Sequence, residues 1–338
     1  MSGGGRLAAA PVLVAPDDFK GTFSAGEVAS ALASGLRAGG LDAEELLVAD
    51  GGDGTLEALV HARGGELRKT VVADPLGRPV EAAWALLADG RTAVVETAQA
   101  SGLGRVSEAD RDASAATTRG TGELIAAAVE AGARQVIVAV GGSATTDGGT
   151  GALEAMTEAG IDRALELDVV CDVRTAWEDA PGIFGPQKGA DPDTVARLEQ
   201  SLDELAVAAP KDPRGAPMTG AAGGLSGGLW AHRGARLHPG AGYVLDAVGF
   251  DARMRAARFV VTGEGRLDAQ TLAGKAVGEV ATRCRGAGVG CHAVVGRNDL
   301  SAFDTRLIDL ASVTEATTLT ELENAGRALA AAIQPEAP

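Results

Sequence analysis

At 338 residues the chain is long enough for two domains of ordinary size, and at that length a core is buried without disulfide or metal staples. A net charge of −16 argues against nucleic acid and anionic membrane surfaces as partners, since both need a basic face. Its 46% hydrophobic and 22% charged residues are those of a well-packed soluble protein, and its three cysteines, Cys171, Cys284 and Cys291, form no CxxC pair, which leaves buried free thiols rather than a zinc site or a disulfide framework.

Residues 1–15 (MSGGGRLAAAPVLVA) faintly resemble a leader peptide, with Arg6 ahead of an apolar run. The run is short, breaks at Pro11 and leads straight into Asp17, Asp18 and Lys20. The better reading is a disordered tip followed by a first strand at 12–14, in a cytoplasmic protein, and no stretch is long enough to span a bilayer. Ser24 and Glu27 form a capping box that opens a helix over 25–38. A second apolar run follows at 46–48, and antiparallel pieces are expected near 70–72, 80–87 and 92–97. Thr121 or Gly122 opens a helix over 123–131 that closes at Gly132. Strands follow at 136–140 and 167–170. Asp191 and Pro192 start a helix running to about Ala208, and the prolines of 210–217 make a loop. Strands recur at 259–261 and 293–295.

Short apolar strands alternating with Ala-rich amphipathic segments predict an α/β fold whose parallel strands are covered on both faces. The strand and Gly turn near Asp17 resemble those near Glu264. The expected layout is therefore a discontinuous Rossmann-like domain (8–70 and 255–335) with an inserted mixed α/β domain (71–254), and ligands in a cleft between them at carboxyl ends of strands.

Five segments carry the chemistry: 15–21 (APDDFKG), 49–55 (ADGGDGT), 141–149 (GGSATTDGG), 184–190 (FGPQKGA) and 262–268 (TGEGRLD). In each, a strand or turn runs into glycines with one or two charged residues. Glycine lets backbone approach a ligand and turn N–H groups toward anionic oxygens. Segment 141–149 is the strongest, with three hydroxyls and an Asp after a buried strand, although a plain strand-to-helix turn would read the same. No GxxxxGK[ST] occurs, which excludes a P-loop enzyme, and 263–268 has Asp where a dinucleotide fingerprint needs its third Gly. Of 30 basic residues only five are lysines, and Lys20, Lys188 and Lys275 each adjoin a glycine in or beside these segments. A compact ammonium suits a phosphate or carboxylate. Phosphoryl transfer needs such cations, Mg²⁺ and a carboxylate near the attacking hydroxyl. The acid candidates are Asp17, Asp50, Asp53, Asp147, Asp172, Glu264 and Asp268. The four histidines lie outside these segments, which disfavours histidine catalysis.

Taken in order, the five segments resemble the bacterial glycerate kinase family, as do 74–79 (DPLGRP), 96–103 (ETAQASGL), 117–125 (TTRGTGELI), 220–225 (GAAGGL) and 268–275 (DAQTLAGK). The resemblance spans nearly the whole chain. It implies a two-domain α/β kinase that uses ATP with Mg²⁺ to phosphorylate D-glycerate at its 2-hydroxyl, with a homodimer allowed for. The residues expected to carry catalysis are Asp17, Lys20, Asp147, Lys188, Glu264 and Asp268. The nucleotide is expected on Gly141, Gly142, Ser143, Thr145, Gly148, Gly263, Gly265 and Lys275, the acceptor on Asp50, Gly51, Gly52 and Asp172, and the metal on Glu264 and Asp147. The chain departs from the family at Asp18, where Ser is common, at Thr146, at 174–177, and in a shortened stretch between Gly149 and Asp168. Those departures keep two alternatives open: a kinase for a related hydroxy acid, and a non-catalytic or regulatory binding protein on the same scaffold.

Overall fold

The computed structural model describes residues 10–161, 164–272 and 274–333. The tip expected at 1–9 lies outside the described residues. The strands, in chain order, are β1 (Val12–Pro16), β2 (Ala43–Glu45), β3 (Gly65–Ala73), β4 (Pro79–Leu87), β5 (Thr92–Glu96), β6 (Gln135–Ala139), β7 (Glu166–Cys171), β8 (Arg236–Pro239), β9 (Val260–Gly263), β10 (Arg266–Leu267), β11 (Cys291–Val295), β12 (Arg297–Asn298) and β13 (Ser312–Glu315). They fall into two compact units. One combines Met1–Ala49 with Leu245–Pro338, and the other is the continuous Asp50–Val244.

The unit made from both chain ends holds a five-stranded sheet in the order β13-β11-β9-β1-β2, every pair parallel. Counted within the unit, that order is 2-1-3-4-5, a doubly wound arrangement. Its winding reverses between β1 and β9, and the carboxyl ends of those strands flank the crevice where such sheets bind ligands. β1 is buried at all five positions, as an apolar run covered on both faces requires. The helix Ala25–Ala38 starts at the expected capping box, with Ser24 and Glu27 satisfying each other's backbone N–H groups. It lies against the helix Leu319–Ile333. A Cβ at Gly35 would fall 1.9 Å from the carbonyl oxygen of Glu323, and one at Gly326 would fall 2.4 Å from that of Leu32, so only glycine permits this approach.

The continuous unit holds a six-stranded sheet in the order β3-β4-β5-β6-β7-β8. β3, β4 and β5 are antiparallel, and β5 to β8 are parallel. One face packs Val72, Trp84, Val95, Val136, Val138 and Val169 onto Leu124, Ile125, Met156 and Leu229 from the helices. The parallel half sends the ends of β5, β6, β7 and β8 into loops on one edge of the sheet, and there the polar segments gather.

The structure departs from the sequence reading at four points. Residues 50–70 belong to the continuous unit, because β3 pairs with β4 along its whole length, and residues 245–254 belong with the chain ends. The run at 46–48 lies just past β2, whose ladder with β1 is set at 43–45; Leu46 N–H continues it by donating to Val14 O at 2.9 Å. The helix expected at 123–131 spans Arg119–Glu130. β8 and β13 were not expected. All three cysteines are buried free thiols.

Candidate active site

In the unit of the chain ends, register places two acidic residues at the ends of neighbouring strands. Pro16 pairs with Gly263, so Asp17 and Glu264 are the next residues on neighbouring strands, and Asp17 N–H donates to Gly263 O at 2.8 Å. Both are buried, and both stand at the reversal of the winding. The Oγ1 of the buried Thr271 donates to Glu264 Oε1 at 2.6 Å, and Lys275 Nζ lies 4.0 Å from Glu264 Oε2. Gly265 is needed here because a Cβ would come within 3.2 Å of the Phe19 Cα, the neighbour of the exposed Lys20. Gly263 answers a packing demand, since its Cβ would meet Val294 O at 2.2 Å. Asp268 opens the short helix Ala269–Leu272, its backbone N–H donating to Thr271 Oγ1 at 3.2 Å, with Arg266 3.8 Å from its carboxylate.

In the continuous unit, the loop 141–147 follows β6 and meets the loop 50–55. A Cβ at Gly141 would fall 2.5 Å from the Gly52 Cα, and one at Gly51 2.8 Å from the Gly240 Cα. These glycines therefore allow loops to touch each other. Asp50 is buried and folds back on its own turn, accepting from Gly52 N–H at 3.1 Å. Lys188, only 2% exposed, reaches into the loop and donates to Ser143 Oγ at 3.1 Å and Thr145 O at 2.6 Å. Burial pulls its pKa down to about 8, against the opposing pull of Asp147 and Asp172. The Oγ1 atoms of Thr145 and Thr146 are buried and meet no hydrogen-bond partner among the described residues. Lys188, Ser143, Gly141, Gly142 and Asp172 line a cavity of about 200 Å³, closed by Leu103, Val173, Phe184, Gln187 and Ala222. Ala222 sits at φ 52°, a left-handed conformation costly for a residue with a Cβ, and is followed by Gly223 at 62° and Gly224 at 93°. That run is pinned by Gly148 N–H, which donates to Gly223 O at 3.0 Å.

Two expectations need correcting. Asp147 does not suit a metal. Its Oδ2 accepts from Thr118 N–H at 2.9 Å, Thr118 Oγ1 at 2.8 Å and Gly151 N–H at 3.2 Å, and its Oδ1 accepts from Gly149 N–H at 3.0 Å. The carboxylate ties the starts of the helices Arg119–Glu130 and Thr150–Glu158 together, and its Oδ2 is fully engaged in that. Gly148 faces apolar side chains, with a Cβ there 2.8 Å from the Trp177 ring.

Sequence reasoning passed over Glu96, Thr271, Phe184 and Gln187 as site residues. Glu96 ends β5, accepts from Leu56 N–H at 2.8 Å and Gln99 Nε2 at 3.2 Å, and burial pushes its pKa up to about 7, with Asp53 adding to the rise. Its signal was available: an acid closing a buried strand, as Glu264 does. Thr271 gave none, since its role depends on a contact with Glu264 across a turn. Among the described residues no three His, Cys, Asp or Glu side chains gather as a metal cluster. No helix among them is long and apolar enough to cross a membrane.

A doubly wound sheet with acids at its reversal point, and a second sheet whose loops bury a lysine, make an α/β architecture with a polar cluster at the strand ends of each unit. Comparison with known proteins narrows this. The sequence profile of the Glycerate kinase family matches residues 12–164 and 156–334, so the chain belongs to that family. The two matched stretches overlap at 156–164. The chain is 41% identical over 304 residues to a glycerate kinase of Bacillus subtilis (strain 168), and 38% identical over 301 residues to a glycerate 2-kinase of Escherichia coli (strain K12). Each alignment covers 78% of this chain and 79% of the relative. The crystal structure of a candidate glycerate kinase 2 from Salmonella typhimurium LT2 superposes with a TM-score of 0.83 at 34% identity, covering 96% of this chain and 98% of that one.

Proposed function

We propose that this chain transfers the γ-phosphoryl group of ATP to the 2-hydroxyl of D-glycerate, giving 2-phosphoglycerate and ADP. The observation that carries the reading is the carboxylate pair Asp17 and Glu264 at the reversal point of a doubly wound sheet, in a chain of this family. A secondary alcohol has no useful anion at neutral pH. A carboxylate must accept its proton as the new O–P bond forms and the bond to the leaving ADP oxygen breaks. Asp17 is the acid we assign to the hydroxyl. Glu264, with Asp17 beside it and the Thr271 hydroxyl against it, is an all-oxygen set that fits Mg²⁺, which when bound would neutralise phosphate charge. Lys20 and Lys275 supply further positive charge on the same unit. In the continuous unit, Lys188 and the 141–147 loop receive a second anionic group.

The test is ADP release with D-glycerate, L-glycerate, lactate and tartronate, with ³¹P NMR of the product. The reading predicts D-glycerate-dependent release and a 2-phosphate resonance. No release with any acid would sink it in favour of a binding role; a 3-phosphate would correct the position attacked.

A further inference from the structure

Lys188 poses an electrostatic problem that the protein alone leaves unsolved. Its ammonium is almost fully buried, and its hydrogen-bond acceptors are a hydroxyl and a backbone carbonyl, both neutral. Among the described residues no carboxylate comes within ion-pair distance of it. An ammonium has three donors, and two are used here. Burying a charge without a counterion is costly, and proteins accept it where a ligand supplies the counterion. The charged groups around it are Asp172, which lines the same cavity, Asp147, which is bound up in helix starts, and Arg111, whose guanidinium donates to Gln187 O at 3.3 Å.

The cavity beside Lys188 measures about 200 Å³. At roughly 30 Å³ per water that is room for about six waters, close to the size of a three-carbon hydroxy acid. Sites for drug-sized ligands run to about 300–1,000 Å³, so the cavity matches a short acid more closely than a whole nucleoside triphosphate. Its lining suits such an acid: a buried cation, the hydroxyl of Ser143, the Gln187 amide and apolar walls from Leu103, Val173 and Phe184. The Asp172 carboxylate is the natural acceptor for a substrate hydroxyl and disfavours a dianionic phosphate in the same space. In the same loop, outside the cavity lining, the buried Oγ1 atoms of Thr145 and Thr146 meet no hydrogen-bond partner among the described residues.

We propose that the Lys188 cavity is the carboxylate pocket for the phosphoryl acceptor, so that loop 141–147 serves the hydroxy acid and not the nucleotide. This rests on the kinase reading above and reverses the assignment of Gly141, Gly142, Ser143 and Thr145 to the nucleotide. The ligand class is a short 2-hydroxy monocarboxylate. Lys188 pairs with its carboxylate, and Asp172 takes a hydroxyl.

Lys188→Met keeps the length of the side chain and removes its charge. In the full-length variant, KM for D-glycerate should rise at least 30-fold, while the Kd of a non-hydrolysable ATP analogue with Mg²⁺, measured by calorimetry, stays within twofold. The reverse pattern, a weakened analogue with an unchanged acceptor KM, would overturn the proposal. If the variant does not fold, the wild-type protein gives a second test. With Lys188 near 8 and the neighbouring Cys171 thiol held far higher by burial, acceptor KM should climb above pH 8 as the ammonium loses its proton. A KM flat from pH 7 to 9.5 refutes the assignment. Lactate, a short 2-hydroxy monocarboxylate, is the control anion: competition with D-glycerate and not with the analogue supports the pocket, and competition with the analogue alone opposes it. The two readings fail separately. Turnover of D-glycerate with a Lys188-independent KM rejects the pocket and keeps the kinase. Lys188-dependent binding of a short hydroxy acid without any ADP release keeps the pocket and rejects the kinase.

Discussion

The two polar clusters handle charge in opposite ways. In the unit of the chain ends, the buried acid Glu264 is already partnered, by the Thr271 hydroxyl and by Lys275 at 4.0 Å. In the continuous unit, the buried base Lys188 touches only neutral oxygens. On the readings proposed above, the first corner takes a metal cation and the second pocket takes an anion. Charge complementarity inside one protein can therefore be finished in advance or left for the ligand to finish, and the unfinished half is where selectivity for the ligand's charge resides.

Breaking the acidic corner should have the largest effect. Glu264→Gln is expected to lower kcat by about 10²–10⁴, the range for loss of a group acting on charge or protons in the transition state. It should also shift the Mg²⁺ requirement to higher concentration. An unchanged Mg²⁺ titration would remove Glu264 from the metal.

Asp147→Asn tests the opposite kind of acid, one consumed by the fold. Replacing a carboxylate that accepts five hydrogen bonds, two of them from hydroxyls, should cost about 2–4 kcal/mol, since buried donors lose a charged acceptor. Calorimetry should show the transition of this unit falling by roughly 5–15 °C. At 25 °C the folded variant should keep kcat within about tenfold. A stable variant with abolished turnover would return Asp147 to the chemistry.

Glycine substitutions sharpen the comparison further. Gly141→Ala drives a Cβ to 2.5 Å from the Gly52 Cα, a backbone atom that cannot swing aside, and should cost about 1–3 kcal/mol. Gly21→Ala has open space around its Cβ and a φ of 77°, so conformational strain alone should cost about 1 kcal/mol. Urea unfolding of both variants checks the difference, and equal losses would mean that the loop around Gly141 yields more easily than its contacts suggest.

The remaining effect concerns pH. Glu96 titrates near 7 in the folded chain and in the ordinary carboxylate range when unfolded. The folded state then holds more protons between those values, so stability should fall as pH rises from about 4.5 to 7, by up to about 3 kcal/mol from this group. Lys188, lowered to about 8, contributes the opposite slope at higher pH, where the unfolded chain binds the extra proton. Glu96→Gln should flatten the acid limb without touching the alkaline one. The same slope in the variant would trace the acid limb to another group.

The sequence was most legible where periodicity is local. Apolar runs marked β1, β6, β7, β9 and β11, and the Ser24 capping box marked its helix to the residue. β8 was missed because Arg236 and His238 break its apolar pattern. Both point at the buried Asp168, which holds them at 2.7 and 2.8 Å and is itself pulled down to about 2, so the polar residues of the strand are satisfied across the sheet. Asp147 was misread for a related reason. Its glycines and hydroxyl neighbours look like a ligand loop, but its main partner, Thr118, lies 29 residues earlier. Lys188 stood out for a neighbouring glycine, whereas its burial, the property that matters, leaves no mark in the local sequence.

The sheet of the chain ends carries a consequence for synthesis. The Thr262 hydroxyl donates to Ala15 O across 247 residues, and β1 has β2 as its sole earlier strand partner until β9 emerges. The continuous unit has every strand of its sheet within Asp50–Val244 and is complete on the ribosome first. The N-terminal strand must then wait, half-paired, for a partner made near the end of translation. A nascent chain stalled before Val260 should hold a protease-resistant middle and a protease-sensitive beginning, which makes this N-terminal segment the point in biogenesis where a chaperone has most to protect.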